Sequence, residues 1–514
     1  MNNKIRTTES IPVIDGTTLA GSQHTLKADV VIIGSGAGGA VNAYELAAKG
    51  LKVIVLEAGD FFPSSQFPRD IINSMATLYQ DKGFQLNSSG DISILQGVGI
   101  GGSTLVNGAV TFRTPDHYLK EWGERFGLDN FSPEKLTPHF EKVEKRLSIH
   151  ENAPYETNAA GDFLLKACKE LGYSAKMLSR NTKQCMLTGK CLSGCRSDRK
   201  QSMLVTYIPW AIDQGATFYC NTPVAEILSK NGVATGVKAH AVNPKTGQRQ
   251  SDITVLADKV ILSAGAIQSP LIALNSEGLK ENKHVGKHFA CHPSAIVVAE
   301  YEQKLDGWRG ATLSSYVDEF EHPDKGGYII EAGTSLPALL STAVETGVGT
   351  EYMDFIAKAE NYAILASLIH DHNVGQVYWD NGRKRIDYDL IDKDYDTLIN
   401  SIRTMSEVLF TAGAKQVYLP TSTLNKHSSM AAVNTALDNC ENTPNQFYLT
   451  SYHPQGTMRM SSNSANSVVN QTGESHDIKN LFVSDASLFP TSILVNPQLT
   501  VYAMASLISG FVAS

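Results

Sequence analysis

The sequence predicts an α/β protein with two parts. One is a Rossmann-like domain whose parallel sheet is assembled from distant segments of the chain, and the other is an α+β domain with an antiparallel sheet. Three observations predict it. Near the start, ADVVIIGSGAGG runs into VNAYELAAKG and then KVIVLEAG, which reads as strand, glycine turn, helix and strand. Near the end, residues 478–514 again read as strand, loop and helix. Between them, residues 216–264 and 294–390 carry short alternating runs such as SAIVVAEY and GYIIEAG.

The elements follow in order. Residues 1–27 are polar and turn-rich and read as an N-terminal extension. EKLTPHFEKVEKRL and AAGDFLLKACKELG are amphipathic helices within residues 133–172. VILSAG is a buried-strand pattern, and a helix is expected from Ser269 with Pro270 at its first position. VGQVYWDNGRKRIDYDL predicts a hairpin around Asp380-Asn381-Gly382, and residues 394–413 predict a helix. The expected organisation is a discontinuous nucleotide-binding domain over 28–180, 200–298 and 446–514, with cap or loop segments at about 60–95 and 181–199. A substrate-binding domain is expected over 299–445.

Gly34-Ser35-Gly36-Ala37-Gly38-Gly39 fits G-x-G-x-x-G directly after an apolar strand. Gly34 permits the tight turn, Gly36 lets the backbone approach a pyrophosphate, and Gly39 lets helix pack on sheet. The helix N-terminus presents free N–H groups to the anion. Glu57 closes the second strand, where a carboxylate can accept from a ribose diol. This unit predicts a dinucleotide and does not separate NAD from FAD.

Further motifs carry a resemblance. Gly99-Ile100-Gly101-Gly102-Ser103-Thr104-Leu105-Val106-Asn107-Gly108 resembles the flavin-proximal loop of the glucose–methanol–choline (GMC) oxidoreductases. Gly265-Ala266-Ile267-Gln268-Ser269-Pro270 is similar to that family's second signature, although Asn275-Ser276-Glu277-Gly278 departs from its usual continuation. Val285-Gly286-Lys287-His288 with His292-Pro293, the block from His453 to Met460, and Val483–Ser487 with Asn496-Pro497 resemble later segments in the family's order. The resemblance implies FAD in the Rossmann-like domain, with Gly102, Ser103 and Asn107 along the flavin and Asp485 near its phosphates or ribityl chain. It also implies that the backbone at Val224 meets the adenine. Residues 97–110 hold no His or Cys, so the FAD is expected to be non-covalent.

The resemblance sets His453 at the family's catalytic histidine and Asn496 at the second catalytic position. Oxidising an alcohol requires loss of the hydroxyl proton and of a hydride, and imidazole suits the proton. Asn cannot titrate, so Asn496 is assigned to positioning the oxygen. The plain structural use of Asn496 is an Asx turn before Pro497.

Cys185, Cys191 and Cys195 give C-x5-C-x3-C in one short loop, similar to bacterial FAD-dependent sugar dehydrogenases of the family that carry a 3Fe–4S cluster. Three soft thiolates suit such a cluster or zinc, and a metal-free structural loop remains open.

The bulk numbers exclude other classes. The chain has 514 residues, a formal net charge of −8 and no basic run, which disfavours nucleic acid and anionic membrane. No apolar stretch predicts a transmembrane segment or a secretory signal. Seven cysteines are an odd count for a disulfide scaffold. A cytoplasmic location is the default expectation, with periplasmic export as a folded passenger of a partner subunit as the alternative. The expected function is dehydrogenation of a sugar, polyol or other alcohol, with electrons passed to a small subunit or a cytochrome-type acceptor. The alternatives are an oxidase using O₂ on a long-chain alcohol, and a non-redox flavin lyase or decarboxylase.

Overall fold

The computed structural model describes residues 7–19, 21–344, 347–372, 374–422 and 426–514. Part of the expected extension, 1–6 and residue 20, lies outside the described residues, as do 345, 346, 373 and 423–425 of the expected substrate domain.

The first sheet centres on Gln23–Ile33 and Arg249–Leu262, which pair in parallel over almost their whole length. On one side the order continues through Val53–Leu56 and Thr217–Cys220 to Ile14–Asp15, all parallel. On the other side Arg249–Leu262 is shared. Its first half pairs with an antiparallel meander, Val233–Val242 and Val224–Lys230, and its last residues pair in parallel with Leu481–Val483. Val30 to Ile33 and Val53 to Leu56 are buried without alternation, as strands covered on both faces must be. The helices Ala37–Ala47 and Gln498–Ala513 pack against each other on this sheet. Two pieces of the expected extension, Ile14–Asp15 and Gln23–Lys27, are therefore strand.

The second sheet is antiparallel, in the order Lys426–His427, Gln416–Tyr418, Ile296–Glu300, Tyr362–Ile369, Tyr328–Gly333, Leu313–Val317, Ala175–Met177. Asp392–Thr411 and Ala159–Leu171 cover one face and share a core with it. Some residues N-terminal to 180 pack with this second sheet. Ala160, Leu164 and Cys168 bury themselves in the second core, and Ala175–Met177 is an edge of its sheet.

Two local expectations have different outcomes. The strands Gly375–Asp380 and Arg383–Asp387 turn at Asn381 and Gly382 with φ of 49° and 75°, the left-handed pair of a tight hairpin. The helix expected from Ser269 instead begins at Gly265, and Pro270 lies inside it. Proline has no N–H for the carbonyl of Ala266, and Thr457 Oγ1 supplies that donor at 2.6 Å.

Among the described residues no helix is long and apolar enough to cross a membrane.

Candidate active site

The free face of the second sheet and the glycine turns of the first enclose a cavity of about 700 Å³. That is within the range of ligand sites.

At one end Gly34 and Gly36 line it, and the helix Ala37–Ala47 starts there with no side-chain cap. Its first N–H groups are free for an anion. A Cβ on Gly38 would overlap the carbonyl oxygen of Ser484, and one on Gly39 that of Gly34. Gly39 is thus a helix–strand contact and not part of the wall. Glu57 lines the cavity, and burial pushes its carboxyl up. Its Oε2 accepts from Ser35 N at 3.0 Å and Ser35 Oγ at 2.7 Å, and Oε1 accepts from Gly59 N at 3.0 Å. A carboxylate retains further lone pairs for a diol. Val224 contributes to the same end.

Gly102, Ser103 and Asn107 line the middle. Ser103 Oγ accepts from Gly97 N at 3.0 Å, and Asn107 donates to Gln498 Oε1 at 2.8 Å. Lys200, which sequence reasoning missed, is buried beneath this loop. Its ammonium donates to the carbonyls of Leu105, Asn107 and Cys191 at 2.9, 2.9 and 3.0 Å. Asp485 also lines the cavity, and its carboxylate accepts from Gly265 N, Ser269 Oγ and Ser487 N. It is both a cap and a clamp on the helix starting at Gly265.

His453 and Asn496 are both buried and both line the cavity. Oδ1 of Asn496 has no partner, so the residue is not spent on an Asx turn. Burial pulls the His453 imidazole down to about 3, so it is neutral at any ordinary pH. Behind it His292 is fully buried, with Nδ1 facing His453 Nδ1 at 3.4 Å. His292 has φ of 49°, and Asp371 holds that strained backbone by accepting from Cys291 N and His292 N. The Gln455 amide nitrogen donates to the His453 carbonyl oxygen at 3.2 Å and lies 2.8 Å from His292 Nε2, while its oxygen has no partner. A carbonyl can only accept, so the resting direction has Gln455 donating, and the reverse direction requires the amide to turn over and give up that bond. With Gln455 donating, His453 keeps its N–H on Nε2. With Gln455 accepting, His453 Nδ1 donates to His292 and Nε2 keeps a lone pair.

The second sheet supplies Ile296, Leu313, Ile364 and Leu368 as an aliphatic wall, with Glu331 as its one acid. The sequence held a signal for Glu331, a lone acid inside the apolar alternation of GYIIEAG.

Residues 75–294 and 371–505 match the two models described as GMC oxidoreductase, and 29–67 match one described as FAD binding domain. A GMC-type oxidoreductase of Mycobacterium tuberculosis (strain ATCC 25618 / H37Rv) is 30% identical over 488 residues, spanning 95% of this chain and 76% of the relative. The chain belongs to the GMC oxidoreductase family. A long-chain-alcohol oxidase of Arabidopsis thaliana is 27% identical over 514 residues, spanning 96% of this chain and 69% of the relative. The crystal structure of pyridoxine 4-oxidase from Mesorbium loti superposes with a TM-score of 0.71 at 18% identity, over 94% of this chain and 98% of that one, a likeness of fold. The cofactor of this GMC oxidoreductase is FAD. The uncapped helix start, with room at Gly36 where a Cβ would stand, fits its phosphates.

The cysteine loop does not fit a metal in the same way. Cys185, Cys191 and Cys195 border one small cavity of about 20 Å³, yet no three ligating side chains among the described residues are arranged to hold an ion. The guanidinium of Arg180 lies among them instead, 3.4 Å from Cys191 Sγ and 4.0 Å from Cys185 Sγ. Although burial raises the Cys191 thiol, Arg180 and Lys200 outweigh it and the net shift is downward. The Arg180 guanidinium thus lies beside the sulfurs that a metal would need, and the loop does not fit a cluster.

Proposed function

We propose that this GMC oxidoreductase dehydrogenates an alcohol, with His453 as the base and Asn496 as the group that positions the oxygen. The observation that carries the reading is that His453 and Asn496 line the same cavity as the glycine loops of the nucleotide site. Bound flavin supplies the hydride acceptor. The chain's own groups handle the rest. His453 Nε2 takes the hydroxyl proton once the Gln455 amide turns over to accept from His292, which exchanges its bond to the His453 carbonyl for a lone pair on His453 Nε2. Asn496 donates to the substrate oxygen as charge gathers there. The buried pocket excludes water. A base at such a centre contributes on the order of 10²–10⁴-fold.

Relatives named long-chain-alcohol oxidase and 2-methyl-1,2-propanediol dehydrogenase support alcohols as the substrate class. The aliphatic wall favours an apolar alcohol over a sugar, because a sugar's hydroxyls would meet few partners there. Non-covalent FAD and transfer of electrons to a protein acceptor, a small subunit or cytochrome, complete the reading.

Anaerobic mixing of the yellow protein with a graded set of primary alcohols, diols and sugars tests it. Bleaching of the flavin by apolar alcohols is expected, and no bleaching by any alcohol, as a lyase would give, overturns it. Peroxide yield in air against dye reduction without O₂ then separates oxidase from dehydrogenase.

A further inference from the structure

Glu331 is 4% exposed and opens onto the cavity from the strand Tyr328–Gly333. Its backbone neighbours are Tyr316 on one side and Ala366 on the other, and the Asn496 amide reaches it from the C-terminal loop. None of these is a cation. The Tyr316 phenol, pushed up by burial, feels the Glu331 charge, and His453, which lines the same cavity, is neutral. Two buried oxygens at this contact lack any partner, Glu331 Oε1 and Asn496 Oδ1.

An ionised carboxyl held by one amide in an aliphatic wall costs several kcal/mol. A neutral carboxyl has an O–H to give, and Oδ1 of Asn496 is the acceptor in need of one. Which end of an amide faces which partner is decided by such hydrogen bonds. We propose that Glu331 is a positioning residue: as a neutral carboxyl it donates its O–H to Asn496 Oδ1 and thereby turns the Asn496 Nδ2 donor to the substrate oxygen. The catalytic consequence rests on the role given to Asn496 above.

Burial raises the Glu331 carboxyl from 4.5 to about 8. Below that value the O–H is present and Nδ2 faces the alcohol. Above it the carboxylate draws Nδ2 to itself, and Oδ1 is left facing an oxygen that is losing its proton. Turnover is therefore lost as pH rises through about 8, whereas His453 would by itself produce no such limb.

Two measurements test this on the FAD-loaded protein. The first is independent of activity: difference infrared spectra of the wild type against Glu331→Gln, titrated from about pH 6 to about pH 10. A protonated carboxyl band that disappears with a midpoint near 8 is expected, and its frequency should shift in Asn496→Ala because the acceptor is gone. A Glu331 already ionised at about pH 6, the state that would suit a cationic substrate, overturns the proposal. So does a band indifferent to Asn496→Ala. The second is the pH profile of kcat/KM with an alcohol that bleaches the flavin. The glutamine amide of the Glu331→Gln variant can donate at every pH, so that variant should hold the low-pH plateau within about threefold and lose the alkaline limb. Glu331→Leu should fall about tenfold throughout, the worth of one hydrogen bond. An alkaline limb that persists in Glu331→Gln overturns the proposal. If no alcohol bleaches the flavin, the alcohol reading fails while the infrared result still decides the state and partner of Glu331.

Discussion

His453 is kept neutral by burial alone, at about 3 against an ordinary 6.5. The rate of flavin reduction should therefore stay flat on the acid side down to about pH 5, where a solvent-exposed histidine would already be charged. Gln455 should matter through its effect on the imidazole pair. Gln455→Leu removes the acceptor that leaves a lone pair on His453 Nε2, and a drop in kcat of about tenfold with KM nearly unchanged is expected from steady-state rates. Glu331 makes a separate claim on stability. Its folded-state pKa is raised, so the unfolded chain releases a proton that the folded protein retains, and stability falls as pH climbs from about 4.5 through about 8. Glu331→Gln does not titrate. It should match the wild type near pH 5 and exceed it by on the order of a few kcal/mol near pH 9, read by denaturant unfolding.

At the scale of elements, the glycine turn and its flanking strands were readable because local sequence dictates them. A buried two-sided strand needs an unbroken apolar run, and the turn needs residues without a Cβ. The helix at Gly265 was misread because its key partner is distant. Pro270 looks like a start, but the missing donor to Ala266 is supplied by Thr457, far along the chain. Thr457→Val should leave that buried carbonyl bare and cost about 1–3 kcal/mol, measurable by chemical unfolding of the holoprotein. The edge strand Ala175–Met177 was not readable for the same reason, since nothing local says which sheet a short strand joins. His453 and Asn496 were legible through their motif blocks. Their supports were less so. His292 was visible as a residue but not in its role, Lys200 carried no signal, and Glu331 carried a faint one.

At the scale of the whole molecule, the two sheets divide the work. The first carries glycine turns that approach a nucleotide, and the free face of the second closes the cavity over the C-terminal His453 and Asn496. Lys200 joins the glycine-rich loop of residues 99–108 to the cysteine loop through three carbonyls. Lys200→Met should release flavin at least about tenfold more readily, followed by flavin fluorescence on dilution. The central claim is that one imidazole at the meeting of these sheets takes the proton of an alcohol. Stopped-flow bleaching of the flavin by the best alcohol, wild type against His453→Gln, tests it most directly. Equal flavin content and a rate lower by about 10²–10⁴-fold are expected in the variant; bleaching at the wild-type rate would contradict proton transfer to His453.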